Sequence, residues 1–190
     1  MKNLNTRSGT LVRGLFSCNN LSNMKPRSLK PVPLTADSFR LYGDVIECAD
    51  HALQKSINYG NTTRFHDLAA LDLTAQGGRP LVSIFRSTPV PRPVAVKVME
   101  RHPLSSQAFY PLSQRPYLVV VAPAGDFDVK NLAAFVAGAH QGVNYHKGTW
   151  HHYSLALDAV SDFLVIDRGG PEKNCDEVFL DEKDQVVIAY

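Results

Sequence analysis

Glu100 and His102 stand two positions apart, and His146, His151 and His152 fall within seven residues around Trp150. Carboxylate and imidazole are the side chains that exchange protons most readily near neutral pH, and both ligate divalent metals. A lone histidine is more often a satisfied core or surface residue. The weight of the cluster therefore rests on whether the fold brings these residues to one place.

The segment from Pro93 to His102 bears on that question. With a period of two, Val94, Val96, Val98, Glu100 and His102 share one face of a strand, apolar for three positions and then ionisable. Such a face suits an inward-facing barrel strand that leaves a packed floor and enters a pocket. The alternative, with Glu100 and His102 on a wet rim, would expose the valine row as well. Further short, β-branched runs bounded by Gly, Pro or Asp predict strands at 81–86, 93–101, 117–122 and 162–166, with a last one at 185–189. Two short helices are expected. One has Thr35 as N-cap, a body over 36–42 and Gly43 as C-cap; the other has Asp128 as N-cap, a body over 129–137 and Gly138 as stop. Many short strands with two small helices predict an all-β sandwich or barrel.

The chain has 190 residues, 44% hydrophobic and 20% charged, with 12 Gly, 12 Pro and a formal net charge of +2. These figures suit one globular domain with a proper core and exclude collagen-like, disordered and disulfide-scaffold classes. No apolar run approaches the roughly 20 residues of a membrane helix. Cys18, Cys48 and Cys175 are an odd number without a CxxC, so a reducing, cytoplasmic setting and inert thiols are expected. The first acid in the chain is Asp37; the segment before it is purely basic, and the remainder is net acidic. An acidic body argues against a nucleic-acid footprint. Residues 1–28, whose apolar patch is too short and interrupted for a secretory signal, read as a basic extension or an early start ahead of Met24. A single domain is expected over 29–190.

Glu100-x-His102 together with the distant histidine cluster resembles the two half-motifs of a cupin barrel. The corresponding ligand places are Glu100, His102, Gln107 and His151, with Gly148 as the turn glycine. Glutamate replaces the usual first histidine, Gln107 replaces the acid, and His146 stands where proline is usual. Two imidazoles, a carboxylate and an amide oxygen still suit a divalent ion; a metal-free acid–base pocket is equally compatible.

The strings Tyr42-Gly43-Asp44-Val45-Ile46, Arg64-Phe65-His66-Asp67, Glu100-Arg101-His102-Pro103-Leu104, Gln107-Ala108-Phe109 and Gly142-Val143-Asn144-Tyr145-His146 occur in order. Trp150-His151-His152 and the run from Asp162 to Gly170 follow. Together they resemble the ureidoglycolate lyase family from about residue 29 to 180. The resemblance implies a cupin-like double-stranded β-helix, usually dimeric, that splits ureidoglycolate into glyoxylate and urea during allantoin (purine) degradation. A divalent metal, nickel among them, is implied as a possible cofactor, and no organic one.

That reaction needs a base for the substrate hydroxyl, an acid for the departing urea nitrogen and a cation for the carboxylate. Glu100, His102, His146 and His151 are the candidate catalytic groups. Arg64, Lys147 and Arg168 are candidate carboxylate clamps, with His66 and Gln107 as further substrate contacts. Arg168 could instead merely pair with Asp167. Trp150 reads as core, Gly169-Gly170 as a tight turn, and Tyr145 as either a hydrogen-bond donor or a pocket wall. A metal-dependent dioxygenase or isomerase, and a non-catalytic small-molecule binder, are the competing readings of such a barrel.

Overall fold

The computed structural model describes residues 26–190. The readings placed on residues 1–25 lie outside the described residues. In chain order the first strands are β1 Arg27–Leu29, β2 Val32–Pro33, β3 Gly43–Ile46, β4 Gln54–Ile57, β5 Thr62–Phe65 and β6 Arg79–Ser87. Next come β7 Val94–Val96, β8 Val98–Arg101, β9 Gln107–Pro111, β10 Tyr117–Ala122, β11 Ala133–Ala137 and β12 Gly142–Tyr145. The last are β13 Trp150–His151, β14 Leu155–Ala156, β15 Ser161–Gly169, β16 Asp176–Phe179 and β17 Val186–Ile188. One short helix, α1 Ala36–Phe39, and four single 3₁₀ turns complete an all-β, cupin-like fold. No helix among the described residues is long and apolar enough to cross a membrane.

Two large sheets face each other. One runs β16-β8-β13-β10-β11-β2, with β14 also on β10; the other runs β3-β12-β9-β15-β6. A third, β1-β17-β7, covers the back of the first, and β4-β5 form a hairpin of their own. Strand β10 explains the arrangement from sequence. All six of its residues are buried. Tyr117, Val119 and Val121 point into the core between the two large sheets, with Phe109, Phe135, Phe163 and Val165. Leu118, Val120 and Ala122 point the other way, into a second core with Val94, Met99, Trp150 and Ile188. A strand apolar on both faces is stable only between two layers.

Three sequence expectations are corrected. Helix α1 ends at Phe39, although Thr35 caps it as expected, in a reciprocal pair with Ser38. Gly43 does not cap a helix; it opens β3, where a Cβ would overlap the Asn144 backbone of the neighbouring strand. The second helix does not form. Asp128 does accept from the Lys130 backbone N–H at 2.9 Å, but only a 3₁₀ turn follows. Residues 133–137 pair with β10 instead, because alternate burial of Ala134 and Phe135 in the two cores outweighs local helix propensity.

The third correction concerns the face shared by Val94, Val96, Val98, Glu100 and His102. The strand breaks at Lys97: β7 joins the back sheet and β8 the front one. Val94 and Val96 then share the outer core with Met99, while Glu100 and His102 face the barrel interior beside His151. Changing sheets reverses the alternation, so the ionisable pair is inward as expected but the valine row lies behind it.

Candidate active site

Strand pairing assembles the site. The register of β8 sets Glu100 directly opposite His151 on β13, and opposite Glu177 on β16. His151 is 1% exposed and stacks flat on Tyr145, with ring centroids 4.2 Å apart and planes 4° from parallel. Its Nδ1 faces the His152 carbonyl at 3.4 Å and the Glu100 carboxylate at 3.6 Å. With its proton on Nδ1, the buried Nε2 carries a lone pair that no described group meets.

His102 closes the cluster, its ring centroid 5.2 Å from that of His151. Its Nδ1 lies 2.6 Å from the Asn174 carbonyl oxygen and its Nε2 lies 3.1 Å from Gln107 Oε1. The Gln107 amide nitrogen points at Asp167, 3.5 Å from Oδ2, which keeps the amide oxygen towards His102. Because Nδ1–H donates to Asn174, Nε2 and Oε1 would present two lone pairs to each other. Two acceptors so placed suit a shared divalent ion. Asn174 is itself held: its Oδ1 accepts from the Leu104 N–H at 2.8 Å and its Nδ2 donates to Ser105 Oγ at 2.8 Å.

Burial sets the charges. Desolvation raises the Glu100 pKa, with Glu177 adding to the rise and His102 opposing it. The carboxylate is therefore a stronger base than an exposed one. Burial, then the neighbouring His102, lowers His151 to about 3, and burial lowers His152 to about 4. Both rings are neutral near pH 7. Burial and nearby carboxylates push the Cys175 thiol up; its Sγ lies 4.0 Å from Glu100 Oε2 and is no thiolate nucleophile.

Glu100, His102 and His151 each offer a ligand atom, all within 4.8 Å of one another. Gln107 Oε1 adds a fourth beside His102. With the orphaned Nε2 of His151, the donor set fits a divalent ion.

Four of the sequence-derived candidates thus come together: Glu100, His102, Gln107 and His151. The others do not. His146 Nε2 pairs with Asp44 Oδ1 at 3.1 Å and lines a separate cavity of about 440 Å³ with His66 and Asp67. Arg64 stands exposed on the β4–β5 hairpin, and Lys147 pairs with Asp72 at 2.8 Å. Arg168 points away from the barrel interior; its Nε and Nη2 donate to the Ala75 carbonyl at 3.0 and 2.9 Å, fastening the 73–78 loop. The inward residue of that pair is Asp167, next in the alternation after Phe163 and Val165. Alternation in the sequence did not choose between them, since Leu164 and Ile166, in phase with Arg168, are as apolar as Phe163 and Val165. Asn174 and Glu177 carried no sequence signal, since only strand pairing brings β16 to β8. Trp150 is core, as expected: it is 3% exposed, its Nε1 donates to the Gly125 carbonyl at 2.9 Å, and Arg101 lies over its ring.

Comparison with known proteins adds an independent line. A family model described as ureidoglycolate lyase matches residues 26–187. A Burkholderia mallei (strain NCTC 10229) protein named ureidoglycolate lyase is 54% identical over 156 residues, 82% of this chain and 91% of its own. A Burkholderia cepacia protein of the same name is 56% identical over 149 residues, covering 78% and 84%. One from Pseudomonas fluorescens (strain SBW25) is 46% identical over 166 residues, covering 86% and 98%.

Arg168→Met should remove the bonds to the 73–78 loop and lower folding stability by roughly 1–3 kcal/mol while turnover persists. An unchanged melting temperature with lost turnover would instead return Arg168 to the site. His151 and His152 bind a proton more weakly folded than unfolded, so their stabilising effect is complete above the unfolded value of 6.5. It is lost as pH falls through 6.5 towards about 4 and 3. Each ring contributes a slope of about 1.4 kcal/mol per pH unit in that window. Thermal melts across the window should show a shallower slope for His152→Gln than for wild type; equal slopes contradict the assignment.

Proposed function

The chain belongs to the ureidoglycolate lyase family, and from that premise we propose how the barrel interior cleaves ureidoglycolate to glyoxylate and urea. The observation that carries the reading is the inward cluster of Glu100, His102, Gln107 and His151, in a chain 46–56% identical to proteins of that name over most of its length.

The substrate carbon bears a hydroxyl, a ureido nitrogen and a carboxylate. Removing the hydroxyl proton lets the C–O bond become a carbonyl as the C–N electron pair leaves with nitrogen. Protonating that nitrogen releases neutral urea, so the reaction is a proton transfer from oxygen to nitrogen with no net proton change. Glu100 suits both transfers, because its desolvated carboxylate is the stronger base and the proton it takes from the hydroxyl can be returned at nitrogen. His151, neutral and locked by the Tyr145 stack, presents Nε2 to the reacting groups. His102, clamped by Asn174 and Gln107, orients the substrate oxygen.

Glu100, His102, Gln107 and His151 would hold a divalent ion, nickel being the one suggested by family resemblance, and its chemistry would be to polarise the substrate hydroxyl. A carboxylate has two oxygens, so ligation through one leaves the other for the proton. A cytoplasmic homodimer completes the reading.

The test is a coupled assay on racemic ureidoglycolate, following glyoxylate, urea and ammonia before and after chelation. Wild type should release urea with glyoxylate; ammonia in place of urea, or no product above the spontaneous background, defeats the proposal. His102→Asn and Glu100→Gln should each lose roughly 10²–10⁴-fold in turnover, the range for a general acid–base group. The raised Glu100 pKa also has a stability consequence. Any contribution of Glu100 is present below the unfolded value of 4.5 and lost as pH rises through the folded one. Glu100→Gln should therefore melt above wild type at neutral pH while inactive, and a lower melting point would contradict the buried-base assignment.

A further inference from the structure

We propose that the β4–β5 hairpin is an arm that crosses to a second copy of the chain. There it lays the Lys55–Arg64 pair over the acidic mouth of that copy's site, to hold the substrate carboxylate. The proposal rests on the reading that the Glu100–His102–His151 cluster splits ureidoglycolate.

Three observations carry it. The first is the arm itself. Every residue from Leu53 to Arg64 is exposed, and β4 and β5 hydrogen-bond in a sheet of only those two strands. A two-stranded hairpin is marginal by itself in water and needs a surface to cover it. Its tip places Asn58, Tyr59 and Gly60 in succession at positive φ, presenting the fully exposed Tyr59 ring outward. Leu53 and Ile57 add exposed apolar surface at its base and side.

The second is charge. Lys55 and Arg64 sit directly opposite each other across the hairpin, an arrangement that is destabilising without an anion. Neither meets a carboxylate among the described residues, whereas Arg86, Arg92, Arg101 and Lys147 are each paired with an aspartate. Residues 1–36 contain no acid that could serve them.

The third is the site, which has the opposite mismatch. Glu100 and Glu177 face each other across β8 and β16, and Asp167 lies behind Gln107. An anionic substrate entering this field needs a cation at its carboxylate. Yet Lys147 holds Asp72 and Arg168 holds loop carbonyls, and Lys173 lines a cleft with Arg101 and Trp150 on the far side of β8. Like-charge pairs of opposite sign, each unfavourable alone, become complementary when the arm of one copy meets the mouth of another.

Mixed-chain complementation tests this. Lys55→Ala/Arg64→Ala alters only exposed positions, and His102→Asn disables the interior. Alone, the first should raise KM at least tenfold and the second should be inactive. Mixed in equal amounts under subunit exchange, they should recover about a quarter of wild-type activity. Half the dimers are then mixed, and each of those holds one site with an intact interior and an intact arm. Activity no greater than the sum of the separate variants overturns the proposal.

A second readout does not depend on turnover. Zero-length carbodiimide cross-linking of mixed ¹⁴N- and ¹⁵N-labelled wild type should join the Lys55 amine to Glu177 in heavy–light pairs. Same-label pairs only, or none, would overturn it. Wild type without turnover but with heavy–light cross-links would defeat the functional reading while leaving the arm in place.

Discussion

The antiparallel register that puts Glu100 opposite His151 governs everything else in the barrel interior. A one-residue slip of β8 would turn Glu100 and His102 outward and drive Met99, now fully buried in the outer core, into the site. The register is held from both sides. β8 pairs with β13 and with β16, and the flanking Met99 and Trp150 anchor both inner strands in the same apolar core. The placement of the cluster therefore depends on packing on the opposite face of the sheet.

That packing also sets the electrostatics. Tyr117, Phe163 and Val165 fill one end of the space between the large sheets and leave the other to polar groups. The cluster sits against an apolar floor, where burial makes the Glu100 carboxylate more basic and keeps the His151 imidazole neutral. Specific partners make the burial tolerable. His102 has an oxygen at each ring nitrogen, and Gln107 is fixed between His102 and Asp167. Around the cluster, His151 Nε2 and Asp167 Oδ1 are left without a partner among the described residues. Unmet buried polar atoms are where a ligand belongs.

Cations are placed differently. Arg86, Arg92, Arg101 and Lys147 are committed to aspartates and Arg168 to loop carbonyls; the Arg86 pair ties β6 to β15, and Arg168 fastens the 73–78 loop. The interior is left with Glu100, Asp167 and the neutral His151 ring. Lys55 and Arg64, which meet no carboxylate among the described residues, are set apart on the hairpin. A site that is acidic within and a basic arm without divide between two places the groups that an anionic substrate requires.

The order of amino acids was enough to read the all-β class, the strand at Tyr117–Ala122 and Glu100, His102, Gln107 and His151 as residues with ionisable or metal-ligating side chains. Each of these is local: residue type and spacing within a few positions specify it. The ordered motifs also marked the family over most of the chain. Every choice between two faces or two partners waited on three dimensions. The reversal at Lys97 sent Val94 and Val96 to the outer core, and pairing with β10 turned the expected second helix into β11. Asp167 took the inward place that had been weighed for Arg168, and Asp44 drew His146 into another cavity. Those outcomes depend on which strands become neighbours, a long-range property that a period-two pattern leaves open because a strand satisfies it with either face inward.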